Sequence, residues 1–230
     1  MADSPAIVLV HGFWGAAAHW AKVITELNRR GFTALHAVEM PLTSLADDAE
    51  RTRKMVQQIE GPVVLVGHSY GGAVITEAGD LPNVAGLVYI AAFAPDAGES
   101  LGQISQDPPP AASENLTPDS DGYMWIKRDK FHESFSQDLS PSEALVMSVT
   151  QKAPLASVFG DSVTSPAWRL KPTWYQVSTE DRMLHPETQL RMARRMNPVE
   201  TIELASSHAS LASQPIPVTD LIEKSAHASS

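Results

Sequence analysis

The chain has 230 residues, of which 43% are hydrophobic and 19% charged, and this balance is typical of a globular protein with a sizeable core. The net charge of −10 excludes nucleic acid as a partner, because binding to a polyanion depends on clustered cationic side chains. The chain has no cysteine, which excludes disulfides, zinc–cysteine sites and a thiol nucleophile. No apolar run reaches the length of a membrane span and the first residues lack a signal-peptide pattern, so we expect a cytoplasmic protein with no membrane partner.

Short apolar runs alternate with amphipathic segments over the first 95 residues. This order is typical of βα units around a parallel sheet that is buried on both faces. Strands are predicted at residues 7–10, 33–38, 62–66 and 84–92. Two helices between them are predicted from apolar stripes at helical spacing, which are Trp20, Val23, Ile24 and Leu27, and then Leu45, Ala49, Thr52, Val56 and Ile59. A third helix is predicted at 73–79.

The alternation stops between residues 96 and 171. This segment, called the insertion below, is rich in proline and has 11 Asp and Glu against 4 Lys and Arg between 96 and 165. Helices are predicted within it at 121–135 and at 140–153, the second from a capping box at Ser140 and Glu143.

Regular βα order returns after the insertion. Strands are predicted at 173–178 and 200–205, helices at 186–196 and 218–226, and a frayed tail from 225 onward. The predicted fold class is therefore α/β, with a doubly wound, mostly parallel six-stranded sheet. Residues 1–95 and 172–230 are expected to form the core, and residues 96–171 a helical lid, or cap, inserted before the strand that carries the acid.

A Gly-x-Ser-x-Gly motif at Gly67, Ser69 and Gly71 follows the third predicted strand. A serine is exposed at the end of a buried strand only where the strand turns sharply into a helix, and glycines leave room for that turn. A structural turn with an idle serine is the weaker alternative, because an apolar strand precedes the motif and a small-residue helix follows it. Ser69 is the predicted nucleophile.

A serine hydroxyl needs a general base, and that base needs an acid to orient it. His208 follows the last predicted strand, so it should lie at the same carboxyl edge of the sheet as Ser69. Asp181 follows the preceding strand and is the predicted acid. Glu180, its neighbour, and Asp96, after the fourth strand, are the alternatives.

The other histidines have less chemical context than His208. His68 lies inside the elbow and is expected to pack beside the turn, and His11 is expected to brace the loop after the first strand. His185 precedes Pro186 and is interpreted as a helix start. No cluster of histidines and carboxylates has the spacing of a metal site, so neither a metal nor a cofactor is predicted.

Acyl transfer also requires two hydrogen-bond donors aimed at the developing oxyanion. One is predicted to be the backbone N–H of Tyr70, the residue after the nucleophile. The other is predicted in the turn after the first strand, where Phe13 N–H is the first choice and Trp14 N–H the alternative. Gly12 in this turn would let the backbone approach the substrate.

Four pieces of the chain resemble the α/β-hydrolase superfamily, and they read HGFWGAAAHW, GHSYGG, STEDRMLHPE and SSHASLASQP. The order Ser69, Asp181, His208 is the order of that superfamily. The resemblance is greatest to the small plant-type methyl-ester hydrolases and hydroxynitrile lyases and their bacterial relatives. The lyases have threonine and lysine where this chain has Gly12 and Ala209, which favours an esterase. Epoxide hydrolases and haloalkane dehalogenases have aspartate at the position of Ser69, which speaks against both.

The residues and the resemblance together predict a serine carboxylic-ester hydrolase that acts through an acyl-enzyme on a small neutral ester, apolar or aromatic. Aromatic side chains of the turn and the insertion should line its pocket, and Trp14, Trp125 and Phe131 are the expected residues. Hydrolysis of a lactone, such as an acyl homoserine lactone, would use the same triad. Perhydrolase or haloperoxidase-like activity, and a ligand-binding receptor on a hydrolase scaffold, are further alternatives.

Overall fold

A computed structural model describes residues 4–229 and contains eight strands within that range. They are β1 (Ala6–Val10), β2 (Leu35–Val38), β3 (Val63–His68), β4 (Val84–Ile90), β5 (Leu116–Pro118), β6 (Met124–Ile126), β7 (Thr173–Ser178) and β8 (Glu200–Leu204). Six of these strands form one sheet in the order β2-β1-β3-β4-β7-β8, and every pair in it is parallel. The predicted α/β class and six-stranded sheet are confirmed.

The α-helices of residues 4–229 follow the strands in the alternating order that the sequence predicts. They are α1 (Ala21–Arg29), α2 (Leu45–Gln57), α3 (Tyr70–Ala78), α4 (Leu101–Ile104), α5 (Phe131–Phe135), α6 (Pro141–Thr150), α7 (Pro186–Met196), α8 (Ser210–Ser213) and α9 (Pro215–Ala228). α3 packs on β3 beside α2, and α9 packs on β3, β4 and β7 beside α1. Every residue of β3 is buried, as expected for a central strand covered on both faces.

The register of the parallel strands determines which loops share an edge of the sheet. Val10 pairs with Gly67, Gly67 with Tyr89, and Tyr89 with Tyr175. The loops that follow β1, β3, β7 and β8 therefore leave the sheet along the same edge, which in open α/β sheets is the position of ligand sites.

The insertion differs from its prediction, because the helix expected over residues 121–135 is wrong. Residues 124–126 form β6, which pairs with β5 as an antiparallel hairpin, and helix is found only at Phe131–Phe135. Asp119 Oδ1 accepts hydrogen bonds from the N–H groups of Asp121 and Tyr123, and Gly122 has a φ of 86°. These local contacts stabilise a tight turn that a helical pattern does not reveal.

One helix start agrees with the sequence prediction, and one helix end differs from it. The capping box at Ser140 is confirmed, since Ser140 Oγ accepts from Glu143 N and the Glu143 carboxylate accepts from Ser140 N. The frayed tail is wrong for residues 225–228, which belong to α9. Of the helices in residues 4–229, none has the length and apolar character needed to cross a membrane.

Candidate active site

Ser69 lies in a strained turn between β3 and α3. Its φ is 54° and its ψ is −123°, a conformation that residues with a side chain rarely adopt. A Cβ at Gly67 would come within 2.5 Å of Gly71 O, and a Cβ at Gly71 within 2.3 Å of Val10 O. Both glycines are therefore required by the close packing of α3 against β3 and β1, and this packing holds the serine in its strained conformation.

His208 and Asp181 form a buried pair in the loops that follow β8 and β7. The distance from His208 Nδ1 to Asp181 Oδ2 is 2.7 Å. Because a carboxylate only accepts hydrogen bonds, the hydrogen of the neutral imidazole is on Nδ1 and the lone pair is on Nε2. His208 Nε2 is buried and has no hydrogen-bond partner within residues 4–229. The pair therefore presents an unused proton acceptor.

The carboxylate of Asp181 is surrounded by donors. Its Oδ1 accepts from the backbone N–H groups of Met183 (2.8 Å) and Leu184 (2.9 Å), and its Oδ2 accepts from Gln189 Nε2 (2.8 Å) as well as from His208. These four bonds fix the direction in which the carboxylate faces the imidazole.

The two alternative acids lie elsewhere. Glu180 is exposed. Asp96 forms an ion pair with Arg169 at 2.6 Å. The structure therefore brings Asp181 to His208, and neither alternative carboxylate contacts this imidazole.

His68 joins the serine turn to the loop that carries His208. Its Nε2–H donates to the backbone carbonyl of His208 at 2.8 Å, and the centroids of the two imidazole rings are 4.8 Å apart. Burial lowers the pKa of His68 well below the ordinary range, and the neighbouring His208 lowers it further, so His68 stays neutral. In the described part of the chain no hydrogen bond joins Ser69 Oγ to His208 Nε2, and the bond from His68 to the His208 carbonyl connects the two loops.

The predicted oxyanion donors lie in the turn after β1 and at the first residue of α3. The backbone N–H groups of Phe13 and Tyr70 have no acceptor among residues 4–229, and their rings stack with centroids 4.0 Å apart. Trp14 N–H donates to Lys152 O at 2.9 Å, so the alternative donor is already occupied. A Cβ at Gly12 would lie 2.6 Å from Ser69 Cβ, which shows that this glycine lets the turn approach the serine itself.

His11 braces this turn as expected. Its Nε2 accepts from Met40 N–H at 3.2 Å, so its Nδ1 carries the hydrogen and donates to Gly12 O at 2.8 Å. The imidazole is fully buried, and burial lowers its pKa. His11 therefore stays neutral and holds the turn that carries Phe13.

A cavity of about 180 Å³ opens beside Ser69, and no charged side chain lines it. Its walls are formed by Phe13, Trp14, Ser69, Phe93, Ser105, Pro110, Ala112, Ser113, Leu116, Phe159 and Met183. Of the three expected pocket residues, the structure places only Trp14 here. Trp125 belongs to the β5–β6 hairpin and donates to Asp119 Oδ2, and Phe131 is fully buried against Phe135. Trp125 is displaced because a hairpin replaces the predicted helix at residues 124–126, whereas Phe131 lies in α5 and is taken up by the core.

Metal ligands are not grouped in this region. Among residues 4–229 no set of three histidine or carboxylate side chains is arranged to hold a metal ion. The site is therefore described by its serine, imidazole, carboxylate and backbone donors.

Residues 7–221 match the profile of the alpha/beta hydrolase family. The chain belongs to this family. The resemblance to the α/β-hydrolase superfamily is thereby confirmed, and the matched range includes the serine turn as well as the Asp181 and His208 loops.

The sequence of this alpha/beta hydrolase aligns with some known proteins over nearly its whole length and with others over part of it. It is 29% identical to the alpha/beta hydrolase nvfD of Aspergillus novofumigatus over 96% of each chain. It is 33% identical to a carbendazim hydrolyzing esterase of Nocardioides over 41% of this chain and 44% of the other. Among solved structures, polyneuridine aldehyde esterase superposes with a TM-score of 0.83 at 18% identity, over 97% of this chain and 100% of that one. At that identity the superposition shows a shared fold.

Two buried polar residues of the hydrolase were not found from its sequence. Asp48 in α2 accepts from Tyr70 Oη at 2.6 Å and from Leu42 N–H at 2.9 Å, and burial raises its pKa to about 6. Gln189 in α7 binds Asp181. Each lies on the buried stripe of its helix, where the helical period predicts an apolar residue. A polar residue at such a position is the signal that could have revealed them.

Proposed function

We propose that this alpha/beta hydrolase is a serine carboxylic-ester hydrolase. Ser69 Oγ attacks the ester carbonyl while His208 Nε2 takes the hydroxyl proton, and Asp181 holds the imidazole in the required tautomer. The N–H groups of Phe13 and Tyr70 bind the negative oxygen of the tetrahedral intermediate. The intermediate expels the alcohol, which receives the proton from His208. Water then attacks the acyl-enzyme by the same proton transfers and releases the carboxylic acid.

The observation that carries this proposal is the state of the His208 imidazole. Its Nδ1–H is bound to Asp181, and its Nε2 is buried without a partner. A buried acceptor without a partner is costly in a folded protein, and it is expected where the atom has a chemical task. The backbone carbonyl of His208 accepts from His68, the residue that precedes Ser69, and this bond between the two loops supports the proposal.

The cavity favours a small neutral substrate. Its volume of about 180 Å³ is below the range of roughly 300–1,000 Å³ in which drug-sized ligands are bound. Aromatic walls and the lack of charge suit an apolar or aromatic group next to the ester carbonyl. The esterase names of a partial relative and of a protein with the same fold agree with an ester substrate. The insertion, which supplies Ser105, Leu116 and Phe159 to the cavity, is the proposed lid.

Turnover of p-nitrophenyl acetate and covalent labelling by a fluorophosphonate test the proposal. The wild-type chain should hydrolyse the ester and incorporate one label, and Ser69→Ala should abolish both. Hydrolysis that persists in a folded Ser69→Ala variant would contradict the proposal. A parallel series of ester chain lengths and lactones measures which of the two substrate classes the cavity prefers.

A further inference from the structure

Gln189 uses its whole amide on the loop that carries the acid. The side chain is fully buried near the start of α7. Its Nε2 donates to Asp181 Oδ2 and to Leu184 O, both at 2.8 Å, and its Oε1 accepts from Ser178 N–H at 3.0 Å. The amide therefore joins the end of β7, the acid and the turn that follows.

The orientation of this amide is fixed by its partners. Ser178 N–H can only donate and Leu184 O can only accept, so the oxygen of Gln189 must face the strand and the nitrogen must face the turn. The second N–H of the same nitrogen is then directed at Asp181 Oδ2, which is the oxygen that accepts from His208 Nδ1. One carboxylate oxygen thus accepts from two donors, the amide and the imidazole.

We propose that Gln189 is a positioning residue for the acid of this site, and this inference rests on the proposed serine hydrolase function. Its amide holds Asp181 Oδ2 at the imidazole and takes part of the hydrogen-bonding capacity of that oxygen. Without it the carboxylate rotates more freely, and the imidazole loses the fixed orientation that proton transfer requires. Gln189 does not touch the substrate cavity, so its effect should fall on kcat and leave KM unchanged.

A double-mutant cycle with Asp181 tests this directly. Gln189→Met keeps an unbranched side chain and removes the amide, and it should lower kcat by about 10- to 100-fold, the usual effect of an outer hydrogen-bond partner. In the Asp181→Asn background the same change should cost less than about threefold, because the carboxylate through which Gln189 acts is already gone. Equal costs in the two backgrounds would overturn the proposal.

The neighbouring residue of α7 provides a matched control. Thr188 is buried, and its hydroxyl has no hydrogen-bond partner among the described residues, so Thr188→Val changes the same helix without touching Asp181. This variant should show the same cost in both backgrounds. Where Gln189→Met fails to fold, Gln189→Leu removes the amide with a second apolar side chain and adds no charge, and its effect on kcat should likewise fall below about threefold in the Asp181→Asn background.

The two proposals fail in different ways. Activity that survives Ser69→Ala contradicts the serine mechanism whatever Gln189 does. The role of Gln189 alone is contradicted if activity depends on Ser69 but Gln189→Met leaves kcat unchanged, or lowers it equally in the wild-type and Asp181→Asn backgrounds. The rate of fluorophosphonate labelling gives a second readout of the same cycle when turnover is too slow to measure.

Discussion

His208 is held by two residues that lie more than 100 positions apart in the sequence. Asp181 binds its ring, and His68 binds its backbone carbonyl. A neutral His68 suits this task, because its Nε2–H donates without placing a second positive charge beside the imidazole that must accept a proton.

Asp181→Asn should lower kcat by about 10⁴, because the amide permits the wrong imidazole tautomer. Steady-state kinetics with p-nitrophenyl acetate measure this loss. Glu180→Gln and Asp96→Asn are the controls and should each change kcat by less than about threefold, since neither carboxylate contacts His208 in the structure. A decrease in kcat of less than tenfold for Asp181→Asn would indicate that Glu180 or Asp96 is the acid that orients His208.

Tyr70→Phe should lower the free energy of unfolding by about 1–3 kcal/mol. The change removes the hydroxyl that donates to the buried carboxylate of Asp48 and leaves that oxygen without a partner. Urea unfolding followed by circular dichroism measures the difference. Adding Asp48→Asn should recover part of the lost free energy of unfolding, because a neutral amide is less costly to bury than a carboxylate. If nothing is recovered, the unpaired charge of Asp48 is not the cause of the loss.

At the scale of elements, the strands were predictable because a parallel sheet covered on both faces leaves continuous apolar runs, as in β3 and β4. Ser69, Asp181 and His208 could be proposed from the sequence because each follows a strand at the same edge of the sheet. The β5–β6 hairpin was not, since it depends on Asp119 and a left-handed glycine at Gly122. Of the three expected cavity residues, Trp125 shared this error because it lies in β6.

The insertion also holds the loops of the site. Asp138 Oδ2 accepts from Ser207 N–H at 2.9 Å, and Gln137 Nε2 donates to Glu180 O at 2.7 Å. Ala112 N–H donates to Arg182 O at 2.9 Å. These contacts reach the loops on both sides of the imidazole pair, so the insertion supports the site.

Gly71→Ala should prevent folding of the β3–α3 turn. The added Cβ would lie 2.3 Å from Val10 O, a backbone atom that cannot move without displacing β1. The soluble yield and the fluorophosphonate labelling should both be lost. Gly160→Ala is the matched control, since its Cβ would meet no atom within 4 Å. Its free energy of unfolding should lie within about 0.5 kcal/mol of the wild-type value. A folded, labelled Gly71→Ala variant would contradict this packing.

Three histidines, of which His11 and His68 are buried and His19 is half-buried, make the whole molecule sensitive to acid. Burial lowers the pKa values of His11 and His68, and lowers that of His19 to about 4. Below the ordinary value of about 6.5, these groups take up protons in the unfolded chain before they do in the folded one. The stability that these neutral histidines contribute to the folded state is therefore fully present above about pH 6.5 and is lost as the pH falls. Asp48 has the opposite effect, because its raised pKa of about 6 lets the folded chain bind this proton first between about pH 6 and 4. It is one group and the histidines are three, so the loss of stability should dominate.

The midpoint temperature of unfolding should therefore fall between pH 7 and pH 5. Differential scanning calorimetry at constant ionic strength measures it. His68→Gln keeps an N–H donor for the His208 carbonyl and removes one titrating group, so its midpoint should change less over the same range. A midpoint that rises on acidification would contradict the assignment of neutral buried histidines.

We expect the hydroxyl of Ser69 to become a nucleophile through His208, and trapping the acyl-enzyme measures this step. The wild-type chain is mixed with p-nitrophenyl acetate, quenched in acid within milliseconds, digested and mapped by mass spectrometry. One acetyl group is expected on Ser69, with much less in His208→Ala and none in Ser69→Ala. Rapid turnover with no acetyl group on Ser69, or with acetylation of another residue that disappears as the ester is consumed, would contradict it.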